Sequence, residues 1–239
     1  MIQLFTSQKK SLADSGLFNG FTDHHSHILP GVDDGIPSMQ KARETLDYYE
    51  TLGIAHIVLT PHVMEDYPQN NPDFLTQQFE KLKANYQGPL QITLGAEYML
   101  DPAFQHHIDT GKLLPIAGNL LLVETSCFDK PCNLIRQFAQ IHDKGYHILL
   151  AHPERYLYMS LKEYRELKEN NIHLQLNLLS LTGAYGNVAE IKANELLRKE
   201  YYDAIGSDLH NLACFQHEIT RKKISSETLK RLNALKEKS

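Results

Sequence analysis

Seven short apolar runs, each followed by a longer amphipathic stretch, constrain this chain more than any other feature. The runs are "FTDHH" (21–25), "AHIVLT" (55–60), "LQITLGAE" (90–97), "NLLLVET" (119–125), "YHILLAH" (146–152), "IHLQLNLLS" (172–180) and "YDAIGSD" (202–208). Short apolar runs separated by helical periods read as strands. The clearest helix starts at Ser38, a good N-cap. It carries Met39, Ala42, Leu46, Tyr49 and Leu52 on one side and stops at Gly53. Further helices are expected near 72–87, 132–145, 161–171 and 188–200, and a charged amphipathic one near 225–237. Regular alternation of this kind implies parallel strands joined by crossovers, an α/β fold. Seven repeats suit a closed or nearly closed barrel better than an open sheet. The 239 residues suffice for one core, so we expect an N-terminal arm (1–20) and a single barrel domain (21–239).

The ends of the runs carry the chemistry. Run one ends in His25 and His27, followed by Asp33 and Asp34. Run two ends in "TPH" (His62), run three in "GAE" (Glu97) and run four in "VET" (Glu124). Run five ends in "AHPER" (His152, Arg155), run six near Asn177 and run seven in "SDLH" (Asp208, His210). In a (β/α) barrel these carboxyl ends share one face, where active sites are built. Buried carboxylates are rare without a partner or a metal, so Glu97 and Glu124 behind apolar strands each require one. Period-two alternation points Asp23, His25 and His27 one way and His24 the other. His24 is therefore not expected to be a ligand, nor are His56, His106, His107, His142, His147, His173 and His217, which fall at strand starts, on helices or in loops.

Nine candidate ligands exceed the needs of one ion: His25, His27, Asp34, His62, Glu97, Glu124, His152, Asp208 and His210. Zinc takes about four and manganese about six, so two or three divalent ions are expected. Asp34, Glu97, Glu124 and Asp208 bring four negative charges. Two dications would neutralise them and a third would leave the site positive, which is the sign that attracts a phosphate monoester.

The rest of the composition narrows the class. A net charge of −5 gives no general attraction for nucleic acid or anionic membrane. No apolar run approaches the ~20 residues of a spanning helix, and the first residues lack the apolar stretch of a secretory signal. Cys127, Cys132 and Cys214 are too few and scattered for a disulfide framework, so a cytoplasmic setting is expected. Cysteine-dependent phosphate chemistry needs an arginine six positions after the nucleophile. Those positions hold Asn133, Phe138 and Thr220.

"TDHHSHILPGVDDG", "TPH", "GAE", "AHPERY" and "SDLHN", in that order, resemble the polymerase-and-histidinol-phosphatase family. The similarity spans about residues 21–215. It points to that family's branch of bacterial manganese-dependent protein tyrosine phosphatases, which act with capsule and exopolysaccharide tyrosine kinases. The resemblance implies a distorted (β/α)7 barrel. It implies one metal on His25, His27, Glu97 and Asp208, and a second on Glu97, Glu124 and His152. A third would rest on Asp34, His62 and His210. Arg155 matches the arginine placed on the substrate phosphate, for which a forked guanidinium is suited. Many relatives carry a second arginine five residues after the final histidine, where this chain has Phe215. The loop after His62, "VMEDYPQNN", is acidic where relatives tend to be basic.

The expected reaction is metal-assisted phosphomonoester hydrolysis, with manganese as the expected ion and iron, zinc or cobalt as alternatives that the same N/O ligands accept. The expected substrate is a phosphotyrosine protein, a bacterial tyrosine kinase tail. Tyrosine leaves with a pKa near ~10 and needs little protonation; Asp33 is the residue considered as general acid. The alternatives are a small-molecule phosphatase of the histidinol-phosphate type and a non-catalytic metal-binding or kinase-docking module. An amidohydrolase also begins with H-x-H, but commonly uses a modified lysine where this chain has Glu124.

Overall fold

The computed structural model of the chain describes residues 9–238. Its strands are β1 (Lys10–Ser11), β2 (Thr22–Ser26), β3 (His56–Leu59), β4 (His62–Val63), β5 (Gln91–Leu94), β6 (Glu97–Met99), β7 (Leu120–Glu124), β8 (His147–Leu150), β9 (His173–Asn177), β10 (Ala204–Gly206) and β11 (Lys223–Ile224). Its α-helices are α1 (Met39–Leu52), α2 (Pro72–Asn85), α3 (Phe104–Thr110), α4 (Leu134–Asp143), α5 (Leu161–Glu169), α6 (Gly186–Arg198), α7 (Leu212–Arg221) and α8 (Ser226–Lys236). All seven expected runs contain strand. Helices α3 and α7 are additions to the expected set.

The strands are parallel in two pieces, β2-β3-β5 and β4-β6-β7-β8-β9-β10. Runs two and three each break once, and the breaks coincide. Pro61 lacks an N–H for the ladder, and a Cβ on Gly95 would sit 2.8 Å from the Ile116 side chain. Backbone bonds bridge the gap, Gly95 N to Leu59 O at 2.8 Å and Glu97 N to Pro61 O at 3.1 Å. The sheet therefore continues across the bend, and the bend turns His62 and Glu97 inward.

The first and last runs also meet. Ser26 and Leu209 form a parallel bridge, Asp208 N donates to His25 O at 2.8 Å, and His27 N donates to Leu209 O at 3.0 Å. Asp23 reinforces this seam from beneath: its buried carboxylate accepts Ser207 N at 2.7 Å and the Tyr49 hydroxyl at 3.0 Å. The sheet is thus curled until its two edges touch.

Most helices pack around the outside. Ala42, Leu46 and Tyr49 of α1, and Ala193, Leu196 and Leu197 of α6, join a large outer cluster with the strands. A smaller cluster gathers Val58, Leu122, Leu149 and Ala204 from strands that are not all neighbours. Such contacts are possible only across the inside of the curl. This inner plug closes the bottom and leaves the carboxyl ends of the strands open to side chains that do chemistry. Residues of the expected arm are tied in as well: β1 pairs with β11, and Leu12, Leu17 and Phe18 lie in the large cluster.

Candidate metal centre and active site

Strand alternation puts His25 and His27 on the inner side of β2 and its continuation. His24, on the other side, is half-buried with its Nε2 unpartnered. The His25 ring is held from behind. Its Nδ1 lies 3.1 Å from Gln175 Oε1, an oxygen that also accepts His152 N at 3.3 Å. Because that atom is an acceptor, His25 Nδ1 carries a proton, and in the neutral ring Nε2 would present a lone pair. The His27 ring is fixed in the same way. Its Nδ1 donates to Asp33 Oδ2 at 2.9 Å, and Asp33 also accepts His62 N and Gly35 N, each at 3.0 Å.

The two Nε2 atoms face each other at 3.1 Å. Glu97 Oε2 lies 3.2 Å from His25 Nε2 and 3.4 Å from His27 Nε2; Asp208 Oδ1 lies at 3.3 and 3.4 Å. All four side chains are buried. Acceptor atoms crowded this closely in a dry site repel one another unless protons or a cation lie between them.

Two further groups flank this one. His152 Nε2 lies 3.1 Å from Glu97 Oε1 and 3.6 Å from Glu124 Oε2, while His62 Nδ1 lies 3.1 Å from both Glu97 Oε2 and Glu124 Oε1. Despite those distances, neither His62 Nδ1 nor Glu97 Oε2 is aligned for a hydrogen bond with any partner. Short contacts between ligand atoms without hydrogen-bond alignment fit a shared cation between them. At the mouth, Asp34 Oδ1 is 3.5 Å from both His62 Nε2 and His210 Nε2. His210 Nδ1 donates backward to the Asp208 carbonyl at 3.0 Å. Exposure rises along this path, from nothing at His25 to 29% at His210 and 59% at Asp34. His27 also lies within 4.8 Å of the group formed by Asp34, His62 and His210, so the deep and outer groups adjoin.

The electrostatics follow from the crowding. Burial raises the carboxyls of Glu97 and Asp208, yet the imidazoles of His25, His27 and His152 together, with Arg155 at Asp208, hold both well below the ordinary carboxylate range. Burial pulls His62 down, but Glu124 and Glu97 bring it up to about 10. Asp34 is lowered to about 2, chiefly by its bond to His210. In a cluster without metal, protons on the imidazoles balance the carboxylates; a divalent ion would displace them. The donor set, imidazole nitrogen and carboxylate oxygen with no thiolate, fits zinc, manganese or iron.

His152 and Asp208 adopt left-handed backbone conformations, at φ of 34° and 52°. Non-glycine residues hold such angles when the surroundings over-determine them. After His152 a short 3₁₀ turn (Pro153–Arg155) is pinned by the buried Glu154, which accepts Asn177 N at 3.0 Å, Ser180 Oγ at 2.8 Å and the Tyr202 hydroxyl at 2.9 Å. This turn aims Arg155 at the cluster. Its Nη1 donates to Asp208 Oδ2 at 2.8 Å, an oxygen that also accepts Asn177 Nδ2 at 2.8 Å.

Asp33 was the residue considered as general acid. Three donors already occupy its carboxylate. Burial raises it, yet the His27 imidazole and the two backbone N–H groups bring it below the ordinary range. These bonds turn the Asp33 carboxylate toward His27 and two backbone N–H groups. Phe215 is buried on α7 against Phe18 and Tyr49. Sequence reasoning missed Gln175, whose signal was its spacing of two from Asn177 in the same run.

A model of capsular polysaccharide synthesis proteins, the CpsB/CapC type, matches residues 21–231. The chain belongs to the CpsB/CapC family. Relatives of this family member are 26% identical over 204 residues in YwqE of Bacillus subtilis strain 168 and in CpsB of Streptococcus pneumoniae, both named tyrosine-protein phosphatases. They cover 80% of this chain and 77% and 83% of theirs. CapC of Staphylococcus aureus is 26% identical over 196 residues, covering 80% of this chain and 77% of its own. A crystal structure from work on YwqE and CpsB, described there as metal-dependent tyrosine phosphatases, matches with a TM-score of 0.76 at 24% identity. The match covers 87% of this chain and 90% of that one, so the two share a mixed α/β fold. Among the described residues no helix is long and apolar enough to cross a membrane.

Proposed function

We propose that this CpsB/CapC member is a metal-dependent protein tyrosine phosphatase. The observation that carries the reading is the ring of His25, His27, Glu97 and Asp208 atoms at 3.1–3.4 Å, with Arg155 bonded to its edge. The fold is read as a distorted (β/α)7 barrel over 21–239, preceded by an arm (1–20), with the site at the carboxyl ends of the strands. His25, His27, Glu97 and Asp208 would hold one ion. Glu97, Glu124 and His152 would hold a second, and Asp34, His62 and His210 a third. Manganese is the proposed ion.

Divalent ions bound there would lower the pKa of water toward ~7 and draw charge from phosphoryl oxygens. The chain supplies the rest. Arg155 keeps further N–H groups free beside its bond to Asp208, and these grip the phosphoryl oxygens of the substrate. Gln175, Asp33 and the Asp208 carbonyl fix the tautomers of His25, His27 and His210, so that a lone pair points inward from each. Asp33 is a positioning residue. A phenolate leaves without a strong acid, which suits a site lacking one.

The relatives' names support a phosphotyrosine protein as the substrate, with a bacterial tyrosine kinase tail as the proposed one. The three cysteines are free thiols, in keeping with a cytoplasmic setting. The test is hydrolysis of phosphotyrosine and phosphoserine peptides and of histidinol phosphate by manganese-loaded protein. Preference for phosphotyrosine supports the reading, preference for histidinol phosphate replaces it with the small-molecule one, and no turnover leaves a binding module.

A further inference from the structure

The largely ionic cavity of about 280 Å³ above the cluster is lined by Asp34, His62, Asp66, Tyr67, Arg155 and His210, among others. A second cavity of about 350 Å³ opens from it and shares Asp34, Arg155, Asp208 and His210. Its remaining wall is mainly apolar, with Leu179, Tyr185, Leu209, Asn211, Cys214 and Phe215. A compartment with ions at one end and apolar surface at the other matches a phosphate attached to a ring.

Tyr185 stands at the junction of the two ends. The Arg155 guanidinium carbon lies 4.4 Å from its ring centroid, and its hydroxyl is 3.5 Å from Asp208 Oδ2. The residue remains 36% exposed although it sits against a charged pair. The other adjoining cavity, about 550 Å³, is lined by Lys41, Glu44, Thr45 and Gln216 and offers no arginine and no phenyl or phenol ring. Lys41 is there already paired with Glu44 at 2.6 Å.

Resting on the phosphatase reading, we infer that Tyr185 is the specificity-determining residue for aryl phosphates: it walls the slot that receives the substrate ring while Arg155 and the cluster receive the phosphate. Phe215, nearly fully buried, backs the slot with apolar wall. Stacking and burial of a ring are favourable only when the ring is present, so the effect separates from phosphate binding.

The experiment measures binding of phenylphosphonate and methylphosphonate to manganese-loaded protein by calorimetry. Both carry the anion, only one carries a ring, and neither can be hydrolysed. Wild type is expected to favour phenylphosphonate at least about tenfold. Tyr185→Ala should bring the two affinities within about threefold, and Tyr185→Phe and Tyr185→Trp should retain the preference. Cys214→Trp, at an exposed position on the slot, should block the ring and weaken phenylphosphonate selectively. Equal loss of both ligands in Tyr185→Ala would mean that the residue acts only through Arg155, and would overturn the inference alone. Equal binding by wild type would do the same. If wild type binds neither phosphonate, the phosphatase reading fails and takes the inference with it.

Discussion

His25 Nε2 and His27 Nε2 face each other at 3.1 Å, each on a ring whose other nitrogen donates to an acceptor behind it. Nothing in the fold relieves that encounter except a proton or a cation. The arrangement comes from β2 and the residue that continues it, whose period of two aims both rings inward, and from two supports, Gln175 and Asp33, drawn from distant and nearby chain.

Asp33 is expected to tune metal affinity without setting a proton-transfer limb. Asp33→Asn should lower manganese affinity by about 10–100-fold, the usual effect of losing a carboxylate behind a ligand histidine. At saturating metal its pH–rate profile should keep the wild-type shape. A lost alkaline limb would restore Asp33 as the acid.

Arg155→Ala should reduce kcat for phosphotyrosine peptide by about 10²-fold, as removal of one preorganised charge donor does. Arg155→Lys should recover little, because an ammonium cannot reproduce the fork that reaches Asp208 and a phosphate together. Metal content should persist, since Asp208 Oδ1 faces the histidines while Oδ2 faces the arginine. Metal analysis beside the kinetics checks both halves.

Two glycines leave room that the site needs. A Cβ on Gly206 would lie 2.4 Å from His25 Cβ and 2.5 Å from Gln175 Nε2; one on Gly35 would lie 2.2 Å from the His27 carbonyl oxygen. Gly206→Ala and Gly35→Ala should each destabilise the fold by about 1–3 kcal/mol and weaken metal binding together with it. Urea unfolding with and without manganese reads both effects. A variant with normal metal affinity would show that the rings tolerate displacement.

His24, on the back of the same strand, gives a pH-dependent prediction. Burial lowers its pKa to about 4 from 6.5. The folded state therefore binds fewer protons than the unfolded state between those values. The contribution is complete above pH 6.5 and is lost as pH falls toward about 4. His24→Val should lose less stability than wild type between about pH 7.5 and about pH 5. Parallel losses in urea midpoints would place the acid sensitivity elsewhere.

What the sequence made legible was periodic or positional. Strand ends exposed the nine candidate ligands because a parallel α/β arrangement brings carboxyl ends together, and the seam between β2 and β10 completes that gathering. Helix α3 was missed because seven residues with two adjacent histidines carry little periodicity. Helix α7 was hidden behind the "SDLHN" motif, whose Asn211 in fact caps it by accepting Cys214 N at 3.0 Å. The breaks at Pro61 and Gly95 were read through as continuous strand. The roles of Asp33, Gln175 and Tyr185 depend on contacts that local pattern does not encode: Gln175 meets His25 across 150 positions, and Tyr185 finds Arg155 only after α6 folds against the turn that follows His152.

The most direct measurement is calorimetric titration of metal-free protein with manganese, followed by the same assay of p-nitrophenyl phosphate hydrolysis before and after chelation. The account predicts two to three bound ions per chain, proton release on binding, a rise in thermal stability, and turnover that chelator abolishes and manganese restores. Full hydrolysis by chelated protein, or no binding beyond a single weak ion, would contradict it.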